Sequence, residues 1–290
     1  MLPNVYISTS AFKNRSLKKI FYTCLELGFT NVELSANVDY ADDNVAVVRK
    51  LYKSGQMRFL VHNYFPRPKE DFVLNLASDD KEVVRRSVQH CQIALDLSAD
   101  LGAPFFSVHA GFAFHAQPQD LGRPQIDLPR ISYPTAYKNF VKNVRVLLDY
   151  AAKRNIQLAV ENNVVAKFNL IKGKNEIALL ADADEAVRFY KEVGRANLFF
   201  LIDLGHLKVS SAAMGFGRED YLQKVLPWAA AFHLSDNDGL EDTTRPFGED
   251  VWFKDVIKRN KNKTWILEIS NVDAREIKDC CKVLENFLSR

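Results

Sequence analysis

Short apolar runs alternate with longer amphipathic stretches along the whole chain. Runs made almost entirely of Val, Ile, Leu and Phe are typical of strands that are buried on both faces, as in a parallel sheet. We therefore predict a strand at each such run. The eight runs are NVYIS near Val5, NVEL near Val32, RFLVH, PFFSVH, QLAVE, LFFLID, AAFHL and TWILEI.

Segments with helical periodicity lie between these runs. The predicted helices are Leu17 to Leu27, Asn44 to Ser54, Lys81 to Leu101, Tyr137 to Arg154, Asp184 to Val193, a weak one at Tyr221 to Val225, Phe253 to Arg259 and Ala274 to Leu288. Strict alternation of strand and helix implies a parallel sheet with right-handed crossovers. Eight such units predict an α/β fold, a closed (β/α)8 TIM barrel.

The alternative architecture is an open, doubly wound sheet. That fold normally has a glycine-rich phosphate-binding turn after its first strand, whereas here the first strand leads into ISTSAFKNRS, which contains no glycine. The chain has no linker, tandem repeat or low-complexity tract that would mark a second domain. We expect one barrel domain over residues 1–290.

Composition and charge exclude some classes of partner. The 290 residues are 47% hydrophobic and 26% charged, and 39 Lys and Arg against 36 Asp and Glu give a net charge of +3. This charge is spread without blocks, so there is no electrostatic case for a nucleic-acid or membrane partner. The start MLPNVYISTS lacks the pattern of a signal peptide, and no stretch is apolar enough to span a membrane. We expect a cytoplasmic protein.

The four cysteines show no metal-binding or disulfide pattern. They are Cys24, Cys91, Cys280 and Cys281, without CxxC spacing. We interpret them as buried thiols of helices.

Four strand-like runs in the second half of the chain each end on a residue that can bind a divalent metal. These residues are Glu161, Asp203, His233 and Glu268. Side chains at the carboxyl ends of parallel strands converge at one mouth of a barrel, so we predict one shared metal site. Three carboxylates and one imidazole suit Mn²⁺, Mg²⁺, Co²⁺ or Zn²⁺.

Other polar residues are expected at the same mouth as substrate ligands. The predicted substrate-binding residues are Glu33, His62, His109, His206 and Arg245. His62 and His109 could instead complete a second metal position with Glu161, and His206, three residues after Asp203 in DLGH, could bind an ion or a substrate oxygen. His90 is interpreted as structural because it lies within a helix pattern.

The pair Glu161 and Glu268 predicts acid–base chemistry. A carboxylate can hold the metal with one oxygen and present the other to a substrate carbon, so two of them can take a proton off and return it. The metal would stabilise the enediolate formed next to a carbonyl. This arrangement performs aldose–ketose isomerisation or epimerisation. The sequence leaves open the sugar or polyol, its phosphorylation and the oligomeric state.

Three connections are longer than a barrel needs. They follow His109, Glu161 and His233, and long loops on the catalytic face are generally binding loops or lids. We expect all three at the same rim, with the segment from Phe112 to Pro134 ordering over a bound sugar.

The strand endings VEL, LVH, SVHAG, LAVEN, LIDLGH, FHLSDNDG and ILEIS resemble the xylose-isomerase-like barrel superfamily over nearly the whole chain. The resemblance implies a divalent-metal-dependent isomerase or epimerase of sugars or sugar phosphates. Glu161, Asp203, His233 and Glu268 match that superfamily's metal site, with Glu161 and Glu268 where epimerases place their acid and base. The alternatives it implies are an inosose-dehydratase-like lyase and an apurinic-site endonuclease.

The endonuclease alternative implies three zinc ions. The resemblance places one at His62, His109 and Glu161, a second at the four-residue site, and a third at His206 with an Asp-x-His after strand seven. Here Asp242 is retained, but Thr244 stands in place of the histidine. A threonine hydroxyl is a far poorer zinc ligand, which disfavours a nuclease. A non-enzymatic barrel would show erosion of the ligand set, and the set is intact.

Overall fold

The fold is a closed barrel of eight parallel strands in sequential order, β1 pairing with β8 to complete the ring. It is seen in a computed structural model, which describes residues 2–120 and 124–289. The strands are β1 (Val5–Ser8), β2 (Asn31–Leu34), β3 (Arg58–His62), β4 (Phe105–His109), β5 (Gln157–Glu161), β6 (Leu198–Asp203), β7 (Ala229–Leu234) and β8 (Thr264–Leu267). The predicted (β/α)8 barrel and all eight of its strands are confirmed.

The helices follow the predicted pattern with one addition. They are α1 (Leu17–Glu26), α2 (Asn44–Lys53), α3 (Lys81–Asp100), α4 (Tyr133–Ala152), α5 (Ala183–Val193), α6 (Leu204–Met214), α7 (Arg218–Val225), α8 (Lys254–Arg259) and α9 (Ala274–Ser289). Helix α6 was not among the predicted helices. Leu204 to Leu207 and Val209 to Ser211 are all buried, and of α6 only Lys208 and the last turn reach the surface, so the helix lacks the amphipathic period that marks a surface helix.

The pleat of the strands explains which residues enter the barrel. A closed set of inward side chains fills its lower part: Tyr6, Leu60, Phe105, Ala159, Leu201, Ala231 and Ile266. Side chains alternate with a period of two, so the residue two positions after an inward one also points inward. Ala159 is thus followed by Glu161, and Leu201 by Asp203. The same alternation turns the intervening apolar residues outward to pack under the helices.

The two longest loops pair with each other at the rim. Phe112, after β4, forms an antiparallel bridge with Ala178, after β5. Asn169 Nδ2 donates to Gln125 Oε1 at 2.8 Å, and a small apolar cluster around Phe114 and Val165 packs beneath them. Helix α4 begins at Tyr133, so the end of the expected lid is helical, and residues 121–123 of that lid lie outside the described part. Its closure over a sugar stays a prediction.

Within the described residues, none of the helices has the length and apolar character needed to cross a membrane. The four cysteines are all buried and free, on helices α1, α3 and α9, as the sequence indicated.

Candidate metal centre

Nδ1 of His233 lies among the carboxylates of the other three strand-end residues. His233 Nδ1 is 2.6 Å from Glu268 Oε2, 3.0 Å from Glu161 Oε1 and 3.8 Å from Asp203 Oδ2. Each residue offers one ligand atom, and these atoms all lie within 4.8 Å of one another. The structure therefore brings together the four residues that the sequence predicts as ligands.

Buried polar atoms without hydrogen-bond partners show that this cluster fits a cation. Glu161 Oε2 and Asp203 Oδ2 have no hydrogen-bond partner and no access to water, and the same is true of His62 Nε2. An unpaired buried acceptor costs free energy that a bound cation would recover. Carboxylate oxygens with one imidazole are ligands that Mn²⁺, Mg²⁺, Co²⁺ and Zn²⁺ accept. The cluster thus has the composition and the unsatisfied atoms of a divalent metal site.

The two oxygens of Asp203 have different partners. Oδ1 accepts from the backbone N–H of His206 at 2.7 Å and so caps the N-terminus of α6, which leaves Oδ2 for the cluster. Asn162 fixes the backbone of the same residue: its Nδ2 donates to Asp203 O at 3.1 Å, and Asp203 N donates to Asn162 Oδ1 at 2.8 Å. Asn162 was not predicted as a site residue, and its only signal in the sequence is its position next to Glu161.

Burial makes protons compete with a cation for these carboxylates. Desolvation raises the pKa of Glu161 to about 7 and that of Asp203 to about 6. Burial alone would lower the pKa of His233, but the carboxylates of Glu268, Glu33 and Glu161 outweigh it and hold that pKa well above its usual range. The cluster therefore retains protons near neutral pH that a divalent ion would displace.

His62 and His109 face the second oxygen of Glu161. His62 Nε2 and His109 Nδ1 lie 3.3 and 3.4 Å from Glu161 Oε2. Burial, with the neighbouring histidines, lowers the pKa of His62 well below its usual value, and the neutral ring can bind metal. These three residues form a second group that could hold an ion. Both roles that the sequence left open, second metal position and substrate donor, remain compatible with this geometry.

His206 lies on the wall of the site with a carboxylate beyond it. Its Nδ1 is 2.8 Å from Asn162 O and its Nε2 is 3.2 Å from Asp242 Oδ2. Asp242 is the residue expected beside His206 in the third zinc position of the endonuclease alternative, and the structure places the two together. Thr244, two residues later, is not directed at His206, because its hydroxyl donates to Ser270 Oγ at 2.6 Å.

Glu33 and Arg245 are placed differently from the other predicted substrate ligands. Glu33 has no exposed surface, and its Oε2 lies 3.0 Å from His233 Nε2. Arg245 is 57% exposed; its side chain is 3.5 Å from Asp238, and its backbone pairs with that of Asp236. No described contact joins Arg245 to the cluster. Binding of substrate by either residue stays a prediction.

The chain matches one protein-family model and is similar in fold to several solved structures. Residues 17–285 match the model of a family described as xylose isomerase-like TIM barrel. Similar solved structures include a D-tagatose 3-epimerase-like protein (TM-score 0.74, 17% identity, covering 99% of this chain and 97% of the other). Two others are 14% identical: 3-keto-D-glucoside 4-epimerase YcjR from E. coli (TM-score 0.70, 99% of each chain) and an L-ribulose 3-epimerase (0.68, 99% and 95%). At these identities the likeness shows the fold. No curated protein matches the sequence.

Proposed function

The chain belongs to the xylose isomerase-like TIM barrel family, and we propose that it is a divalent-metal-dependent isomerase or epimerase of sugars or sugar phosphates. The observation that carries the proposal is the convergence of Glu161, Asp203, His233 and Glu268 on one point at the barrel mouth. Three similar structures bear the names of epimerases, which supports a substrate with a carbonyl next to the carbon that changes configuration.

Glu161 and Glu268 are the proposed acid–base pair. They come from β5 and the end of β8, and both contact the same nitrogen of His233. Glu268 is 18% exposed whereas Glu161 is fully buried, so the two carboxylates differ in their access to water. A carboxyl group whose pKa lies near neutrality, as burial gives Glu161, can both accept and return a proton at physiological pH.

The four cluster residues would hold the ion, and the histidines would orient the substrate. A divalent ion bound there supplies positive charge that polarises a carbonyl and stabilises an adjacent developing oxyanion. His62, His109 and His206 surround Glu161 and can hydrogen-bond sugar hydroxyls. Proton removal by one glutamate and return by the other then accounts for both isomerisation and epimerisation.

Solvent proton exchange tests this function directly. The purified protein is incubated in D2O with Mn²⁺, Mg²⁺, Co²⁺ or Zn²⁺ and a panel of ketoses, aldoses and their phosphates, and NMR detects deuterium at the carbon next to the carbonyl. We expect metal-dependent exchange with at least one sugar, because an enediolate equilibrates its proton with solvent even when net conversion is small. Loss of water from a polyol without such exchange would instead indicate a lyase.

A duplex with an abasic site serves as the contrasting substrate. The hydroxyl of Thr244 donates to Ser270, which supports the expectation that the third zinc position of the endonucleases is not built here. We expect no metal-dependent incision. Incision of the duplex without exchange on any sugar would contradict the proposed function.

A further inference from the structure

The imidazole of His233 contacts carboxylates on both of its nitrogens. Nδ1 faces the carboxylates of the four-residue cluster, and Nε2 lies 3.0 Å from Glu33 Oε2. Glu33 comes from β2 and is 200 residues away in sequence, so the contact crosses the interior of the barrel. Both side chains are completely buried. Glu33 is therefore close to the ring but has no surface open to the mouth.

A neutral imidazole has one lone pair and one N–H. It can bind a metal through one nitrogen only if the proton resides on the other, and a hydrogen-bond acceptor beside that other nitrogen selects this tautomer. Nδ1 is surrounded by Glu161, Asp203 and Glu268, whereas Nε2 has a single carboxylate neighbour. We infer that Glu33 is a positioning residue: it accepts the Nε2–H of His233 and thereby directs Nδ1 to the metal.

This inference rests on the proposed metal centre and gives Glu33 a role other than substrate binding. The second oxygen of Glu33, Oε1, is buried and has no hydrogen-bond partner, so this carboxylate depends on His233 for its stabilisation. A residue that binds substrate needs surface that the substrate can reach, and Glu33 has none. A carboxylate enclosed against a ligand imidazole is the arrangement that orients histidines in metalloproteins.

A competing arrangement uses the same atoms differently. Glu33, His62 and His233 also form a group whose ligand atoms would fit an ion. That ion would bind the lone pair of Nε2. The proton would then reside on Nδ1, which could no longer bind a metal ion held by the three carboxylates. The side of the ring with three carboxylates attracts a cation more strongly than the side with one, so the metal is assigned to Nδ1.

Metal affinity of variants tests the role of Glu33. Glu33→Leu removes the acceptor, and we expect it to weaken Mn²⁺, Co²⁺ or Zn²⁺ binding about 10- to 100-fold. Glu33→Gln keeps an oxygen that accepts Nε2–H and should fall between Glu33→Leu and the wild type. Glu185→Gln is the matched control, because Glu185 is also a buried glutamate but bonds Tyr133 and the backbone of Leu180. We expect unchanged metal affinity in this control, and unchanged affinity in Glu33→Leu would overturn the inference.

The protonation of His233 in the wild-type protein gives a measurement that does not depend on variants folding. In ¹⁵N-labelled protein loaded with Zn²⁺, we expect Nε2 of His233 to carry a slowly exchanging proton and Nδ1 to show the shift of a metal-bound nitrogen. Nδ1–H with metal-bound Nε2 would overturn the inference in favour of the competing site. If the wild type binds no divalent ion, both this inference and the proposed function fail; if it binds ions as described but exchanges no sugar proton, only the proposed function fails.

Discussion

Glu268 Oε2 and His233 Nδ1 lie 2.6 Å apart at the ends of the last two strands of the barrel. The histidine is completely buried, while the glutamate is 18% exposed. Glu268 is thus the member of the four-residue cluster that connects the buried ligands with the open mouth. Solvent therefore reaches this carboxylate, whereas Glu161 has no exposed surface.

Removing either glutamate's ability to transfer a proton is expected to abolish turnover. In Glu161→Gln and Glu268→Gln the amide fills the same space but cannot accept the proton, so kcat should fall by about 10²- to 10⁴-fold. Circular dichroism should show an intact fold. Glu249→Gln, an exposed change in the loop after β7, is the control and should keep full activity. Near-normal kcat in either site variant would remove that residue from the acid–base role.

Binding of a divalent ion should stabilise the protein. The ion binds only the folded cluster, so at a concentration 100 times its Kd it should add about 2.7 kcal/mol to the free energy of unfolding, and a chelator should reverse the gain. Asp203→Asn should lose most of this stabilisation, because an amide oxygen is a weaker ligand than the unpaired Oδ2. Asp79→Asn changes an exposed partner of His115 and should respond to metal like the wild type. Equal metal-induced shifts in Tm for both variants would contradict the assignment of Asp203.

Variants of the adjacent residues Asn162 and Asn163 should distinguish support of the metal site from anchoring of the loops. Asn162→Ala removes the side-chain acceptor of the Asp203 backbone N–H and the side-chain donor to its C=O, which should cost about 1–3 kcal/mol and weaken metal binding. Asn163→Ala removes donation to Gly111 O and Leu179 O, so it should destabilise the loops but leave metal affinity unchanged. Denaturant unfolding and metal titration of both variants check this. Equal loss of metal affinity in the two would show that Asn162 has no special role.

His90 should make the fold sensitive to acid. Its ring stacks on Tyr64 with centroids 4.8 Å apart, and burial lowers its pKa from 6.5 to about 4. Because the unfolded chain binds the proton more readily, stability is complete above pH 6.5 and falls as the pH drops toward 4. Between pH 7 and pH 5 the loss due to His90 should be roughly 2 kcal/mol.

The variant His90→Phe isolates this contribution. Phe keeps an aromatic ring beside Tyr64 but does not titrate, so the difference in unfolding free energy between pH 7 and pH 5 should shrink by the same amount. His115→Gln, a change at an exposed histidine, is the control. An unchanged pH dependence in His90→Phe would mean that the buried histidine does not account for acid sensitivity.

The barrel and the identity of the four cluster residues can be predicted from the amino-acid sequence alone. Strands buried on both faces are apolar along most of their length, and each of these runs has a polar residue at or beside its carboxyl end, such as Glu161 or Asp203. The carboxyl ends of the parallel strands of a barrel all lie at one mouth. Residues at equivalent positions on these strands therefore lie close together, independently of the loops. Local pattern and this one topological rule were sufficient for that prediction.

The contacts that cross the barrel and the rim become visible only in the folded protein. Glu33 and His233 meet from β2 and β7, and the Thr244 hydroxyl finds Ser270; neither pairing has a local signature. Helix α6 has no clear signal in the sequence because seven of its eleven residues are buried, which leaves little of the polar–apolar alternation that reveals a helix. Periodicity reports which side of an element meets water, whereas the partner of a buried polar atom depends on the closed shape of the whole chain.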